Sequence, residues 1–165
     1  MKSAALLAAF DLEHRRMVHL IGGGGKTTLL GGMARALAGL GKRVAVTTST
    51  RILTSEGVKI GAVRIGERGD IERGSPVVLV RAESGEKLLG YSAEEIDAFA
   101  ELADVVLVEA DGSAGRPLKA HAEWEPVIAS SADLVVAVVG AWCLGEPLDD
   151  DAVHRAELFA SRVGC

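Results

Sequence analysis

The chain has 165 residues, 48% of them hydrophobic and 25% charged, a length and balance that suit one soluble domain, residues 1–165, with a sizeable core. A net charge of −5 and a pI near 5.4, with no basic stripe studded by aromatics, argue against a nucleic-acid partner. No apolar run approaches the roughly 18 residues of a membrane span, and two cysteines, Cys143 and Cys165, without C-x-x-C spacing, fit a reduced, cytoplasmic setting.

In chain order, MKSAALLAAF carries a lysine and a short apolar run. DLEHRR stands where a cleavage site would follow a signal peptide, so the segment reads as a short amphipathic or buried helix. Met17 to Ile21 is a buried strand ending at glycine. Leu30, Met33, Leu37 and Leu40, at steps of three and four, predict a helix with one apolar face that stops near Gly41. Arg43 to Thr47 is a second strand, closing on Thr47, Thr48, Ser49 and Thr50. Residues 54 to 90 hold two β-like runs, Ala62 to Ile65 and Pro76 to Arg81, around the charged GERGDIERG, and read as a small hairpin or β-excursion. Ser92 and Glu95 have capping-box spacing, predicting a helix from about 93 to 103. Asp104 to Val108 and Leu134 to Val139 are the third and fourth core strands, and Asp149, Asp150 and Asp151 precede a final helix. Strands that are apolar throughout, alternating with helices, imply a mostly parallel α/β sheet covered on both faces.

Between the first strand and the first long helix lies LIGGGGKTTLL, Leu20 to Leu30. The pattern G-x-x-x-x-G-K-[ST] would put a glycine at Leu20, so the loop reads as a compact one beginning at Gly22, with Leu20 in the core. Gly22, Gly23, Gly24, Gly25, Lys26, Thr27 and Thr28 then form a phosphate cradle. Glycines let backbone N–H groups converge and the helix N-terminus adds partial positive charge. Lys26 would reach the outer phosphates and Thr27 would bring its hydroxyl to Mg²⁺. A Rossmann turn is excluded by spacing, and by threonines where an acid should meet a ribose.

VVLVEADGS, Val105 to Ser113, ends an apolar strand in acid. Glu109 is the candidate Mg²⁺ ligand, and Asp111 would position water or sense the terminal phosphate. In GRPLKAH, Arg116 and Lys119 either neutralise charge developing in phosphoryl transfer or are simply solvated. Thr47, Thr48 and Thr50 would touch phosphate or a second substrate, or cap their own turn. Cys143 reads as a buried, inert thiol, with a catalytic or selenium-handling thiol as the minority reading, and Trp124 and Trp142 as packing residues, either of which could line a pocket. The four histidines are scattered with no metal-binding spacing. The chain has no Asn and no Gln, hence no N-K-x-D base-reading element and no glutamine to orient water.

These motifs, together with GKRVAVTTSTRI, VLVEADGSAGRPLKAH, EWEPVI, DLVVAVVG, LGEPL and VHRAE in that order, resemble the YqeC-type family, the selenium-dependent hydroxylase accessory proteins, from about residue 17 to 157. The resemblance implies a P-loop NTPase-like three-layer α/β sandwich that helps mature selenium-dependent molybdenum hydroxylases. Gly22 to Thr28 would be its phosphate loop, Glu109 and Asp111 its metal-side acids, and Arg116 and Lys119 its loop cations. Members of that family commonly run on past VHR-x-E to a further strand and an N-K-x-D-like segment, whereas this sequence ends at Cys165, as a shortened member or a fragment would; base selection would then be absent or supplied by another chain. The expected ligands are Mg²⁺ and a nucleoside triphosphate, ATP or GTP. The expected partners are a molybdenum hydroxylase or its cofactor-insertion machinery, with a homodimer as one arrangement. Slow NTP hydrolysis, phosphoryl transfer to a small acceptor, and nucleotide-gated cofactor delivery without turnover all stay open at this level.

Overall fold

The computed structural model describes residues 3–165; Met1 and Lys2 of the N-terminal helix read above lie outside them. In chain order the helices and strands are α1 (Ser3–Ala9), β1 (Met17–Gly22), α2 (Lys26–Gly39), β2 (Val44–Thr48), β3 (Arg51–Leu53), α3 (Thr54–Ile60), β4 (Ala62–Ile65) and β5 (Val77–Val80). There follow β6 (Ala82–Ser84), β7 (Lys87–Leu89), α4 (Ala93–Asp97), β8 (Val105–Glu109), β9 (Leu118–Lys119), β10 (Leu134–Val138), β11 (Val153–His154) and α5 (Ala156–Val163).

The fold is mixed α/β, around a six-stranded sheet in the order β10-β1-β8-β2-β5-β4 whose pairings are all parallel. Successive side chains of a strand point to opposite faces, so the sheet builds two cores. Val18, Leu20, Val46 and Leu107 pack with Leu30, Met33 and Leu37 of α2, and with Leu7 and Ile60, on one face. Met17, Ala45, Val106 and Val108 meet Tyr91, Ile96 and Phe99 on the other. Both faces being dry, the central strands need apolar residues at nearly every position, as VVLV supplies throughout and MVHLI supplies apart from His19.

His19 is a fully buried polar residue of the sheet. Burial holds its imidazole down to about 4, and its Nε2 accepts a 3.2 Å hydrogen bond from the Ala129 amide. The ring is therefore neutral with its proton on Nδ1. Because the folded pKa is depressed, this contribution to stability is present above the unfolded value of 6.5 and is lost as pH falls towards 4. A melting series from pH 7 to 4 should show a falling midpoint, and His19→Leu should flatten that segment of the curve while lowering stability at pH 7.

α2 ends as its sequence predicts. Gly41 adopts φ +76°, its amide bonding Ala38 O at 2.8 Å while the Lys42 amide bonds Leu37 O. Leu40, expected on the buried stripe, is the capping residue and is half exposed. The capping box at Ser92 and Glu95 is present, but the helix it starts is α only to Asp97 and continues as a 3-10 turn, Ala98–Glu101. The final helix starts five residues after Asp151. Asp149 caps the intervening turn, and Asp150 Oδ1 accepts from the Ala156 amide at the start of α5.

Two expectations are corrected. The runs at 62–65 and 76–81 are not a hairpin: β4 and β5 pair parallel, and β5 joins β2 in the main sheet. The fully buried VVLV run is the reason, since only a central position dries both of its faces. The antiparallel excursion is instead β3-β7-β6. β10 is an edge strand, not a central one, and Val135, Ala137 and Val139 are exposed.

Candidate functional site

β1 ends at Gly22, which has φ +95° and lies so close to the Val138 carbonyl that no side chain fits. The Gly23 amide bonds that same carbonyl at 2.9 Å, tying the loop to the end of β10. Gly24 and Gly25 also take positive φ, and Gly25 caps α2, which starts at Lys26. The loop therefore wraps the N-terminus of a 14-residue helix, where free N–H groups and the helix dipole favour an anion.

The Lys26 side chain is turned inward. It is 3% exposed, and its ammonium donates to Gly22 O at 2.5 Å. The same nitrogen lies 3.1 Å from Asp111 Oδ1, an ion pair without hydrogen-bond alignment, and 3.9 Å from Glu109 Oε1. Thr27 Oγ1 donates to Glu109 Oε2 at 2.8 Å. Adjacency of β1 and β8 in the sheet is what joins loop and acid: Leu20 stands in register with Glu109. Burial raises the Glu109 pKa above its usual value, although Lys26 and the Thr27 hydroxyl pull it down.

Asp111 is fully buried, and its Oδ2 accepts from the Gly22 amide at 2.8 Å. That oxygen also shares a 2.6 Å hydrogen bond with His121 Nε2 and lies 3.4 Å from Lys119 Nζ. Lys119, whose side chain is buried, donates to Gly112 O and to Glu125 Oε2 at 2.6 and 2.9 Å. Arg155 donates to the same Glu125 oxygen at 2.6 Å. Burial opposes ionisation of Glu125, but the bonds from Arg155 and Lys119 outweigh it and hold its pKa at about 2.

Gly24 to Thr28 and Glu109 line a cleft of about 920 Å³, while Asp111 is fully buried and outside its lining. Its lining runs from Gly24–Thr28 and Glu109 to Ser113–Gly115 and Trp142, and past the acid to Thr50, Arg51, Glu56 and Lys87. Thr47 and Thr48 do not reach it. Their hydroxyls donate to Leu79 O and Glu109 O, which stitches β2 to β5 and β8.

The structure thus brings Gly22 to Thr28, Glu109 and Asp111 together. Arg116 is placed otherwise than a cleft-facing cation: its guanidinium donates to Asp150 O and Ala114 O and lies 3.9 Å from Asp151. Lys119 is near the acids, but its ammonium is engaged by buried partners and does not face the cleft. Cys143 is only partly buried, and both tryptophans are exposed. His121, Glu125 and Arg155 were not singled out from sequence; the i, i+2 spacing of Lys119 and His121 beside a strand was the signal for the first.

The family model described as "YqeC protein" matches residues 18–157. A protein of Escherichia coli (strain K12), described as "Uncharacterized protein YqeC", is 36% identical over 156 residues, covering 90% of this chain and 60% of that protein. The chain therefore belongs to the YqeC family, and it spans about 60% of the length of that relative. No solved structure matches it. Among the described residues no helix is long and apolar enough to cross a membrane.

Proposed function

We propose that this chain is a P-loop NTPase-like domain that binds a Mg²⁺-nucleoside triphosphate and hydrolyses it slowly, as an accessory step in maturing selenium-dependent molybdenum hydroxylases. The carrying observation is the meeting of Lys26 and the Thr27–Glu109 hydrogen bond at the mouth of a glycine loop that caps α2. A glycine turn with a solvated lysine is the plainer alternative, and the burial of Lys26 against two carboxylates weighs against it. The maturation role rests on the family resemblance and not on the geometry.

A hard divalent cation fits the donor set. A hydroxyl and a carboxylate oxygen in contact, opening on the cleft, suit Mg²⁺, which takes few protein ligands and fills the rest with phosphate oxygens and water. Among the described residues no cluster of three or more His, Cys, Asp or Glu could hold a metal alone. Bound there, Mg²⁺ would neutralise charge on the outer phosphates. The chain does the positioning. The loop amides would hold the phosphates, Lys26 would offer its ammonium to an outer phosphate oxygen, Thr27 and Glu109 would hold the ion, and Asp111 keeps the Gly22 amide and Lys26 in place. His121 and Lys119, the latter anchored by Glu125, fix Asp111 from behind.

Titration of the native chain with ATP, GTP and CTP, with and without Mg²⁺, tests the reading: saturable, Mg²⁺-enhanced binding is expected, and no binding of any triphosphate sinks it. In Glu109→Gln the Mg²⁺ enhancement should shrink by about tenfold or more, since a carboxylate ligand is lost. Unchanged Mg²⁺ dependence of binding and turnover would refute the metal-side role of Glu109.

One observation favours a second reading. The cleft continues past Glu109 to Thr50, Arg51 and Lys87, which leaves a polar bay where an acceptor could meet the terminal phosphate. Phosphate release that requires a small anionic acceptor would make the chain a phosphotransferase.

A further inference from the structure

The direction in which a triphosphate must lie follows from the sheet order. β8 and β10 flank β1 on opposite sides, so the loop after β1 has an acid on one side and the β10–β11 connection on the other. In phosphate loops the metal carboxylate and the loop hydroxyl face the terminal phosphates. Here those are Glu109 and Thr27, on the β8 side. The organic end of the ligand is then directed to the β10 side. What stands there is Trp142, in the 3-10 turn Ala141–Cys143 just past β10.

Trp142 lines the cleft and is 59% exposed. Its ring rests on Gly140, where an added Cβ would lie 2.8 Å from Cη2 and 2.9 Å from Cζ2. Gly140 in turn packs on the phosphate loop: a Cβ on Gly24 would come within 2.6 Å of the Gly140 nitrogen. One glycine therefore separates the indole from the loop, and the Gly140 amide, bonded to Pro117 O at 2.8 Å, holds that spacer in place. Trp124, also exposed, differs in both respects: it does not line the cleft, and Arg155 lies 5.8 Å over its ring.

We propose that Trp142 is the platform on which the nucleobase of the bound triphosphate stacks; this rests on the phosphate-loop reading above. Stacking engages the π-face that every base presents and does not read the base edge. A chain with neither Asn nor Gln has no side-chain amide to read that edge. Stacking on this platform alone would hold ATP and GTP to within a few-fold of each other and the smaller pyrimidine of CTP more weakly.

The test compares Mg²⁺-ATP, Mg²⁺-GTP and Mg²⁺-tripolyphosphate, which keeps the phosphates and has no base, on the native chain, Trp142→Ala and Trp142→Tyr. Expected is an affinity loss of about tenfold or more for both nucleotides in Trp142→Ala, with tripolyphosphate changed by less than about twofold and most nucleotide affinity kept in Trp142→Tyr. In a Trp124→Phe background, ATP should quench the remaining indole fluorescence and tripolyphosphate should not. Unchanged nucleotide affinity in Trp142→Ala, or an equal loss for tripolyphosphate, overturns the platform and leaves the phosphate loop standing. If tripolyphosphate and nucleotides all fail to bind the native chain, the phosphate loop falls too.

Discussion

Replacing Lys26 by Ala should weaken Mg²⁺-triphosphate binding by a factor of about 30 or more, the range expected when one partner of a desolvated charge pair is truncated. The magnitude follows from where the ammonium sits. It is 3% exposed and within 4 Å of two carboxylates and the Gly22 carbonyl, so a phosphate oxygen taking the place of those partners would meet it outside bulk water. The fold should survive the change, because Asp111 keeps Lys119 and His121 as partners. Lys26→Arg should not rescue binding, since a planar, forked guanidinium does not substitute for the compact ammonium held between Gly22 O and Asp111. Calorimetric titration of the three proteins, with melting curves run alongside, separates lost affinity from lost structure. Equal affinity in native and Lys26→Ala proteins would remove the loop from the mechanism.

What sequence makes legible here is local. The order strand, glycines, Lys26, helix is contiguous, so the loop and its anion-favouring helix end can be read from Leu20 to Leu30 alone. Glu109 is legible because it terminates an apolar run, and parallel strands place such ends at the ligand crevice. The exposure of β10 is less so: LVVAVV reads as buried on both faces, but nothing in that run says whether a neighbour lies beyond it. β4 and β5 were misread because the charged stretch between them resembles a turn. In the fold it is a crossing loop held down by Ile71, which is buried under the second face. Arg116 and Lys119 show the limit most directly. Three residues apart, both cationic, they part company because residues 149–155 capture the Arg116 guanidinium from 34 positions away, while Glu125 and Asp111 draw Lys119 inward. Such a choice depends on long-range packing that no spacing rule encodes.

The second large effect is expected at Asp111. Asp111→Ala should lower stability by about 3–5 kcal/mol, as breaking a buried charge network does, and for a chain of this size should drop the thermal midpoint by roughly 6–20 °C. Several losses coincide. The Gly22 amide is left without its acceptor, Lys26 keeps the Gly22 carbonyl but only the more distant Glu109 as a carboxylate partner, and Lys119 and His121 lose the oxygen they share. Lys119 still has Glu125 and Gly112, so the damage should concentrate on the β1 end of the cluster, where the glycine loop begins. Asp111→Asn separates the contributions: its carbonyl oxygen still accepts from Gly22, whereas the charge facing Lys26 and Lys119 is gone. It should melt between the native protein and Asp111→Ala, and hydrogen exchange at residues 22–26 should be faster in Asp111→Ala than in Asp111→Asn. Because Asp111 holds Gly22 and Lys26 at once, triphosphate affinity should fall with loop protection across the two variants. If Asp111→Ala melts within about a degree of the native protein, the cluster does not organise the loop, and the alignment of Lys26 must come from the glycine backbone alone.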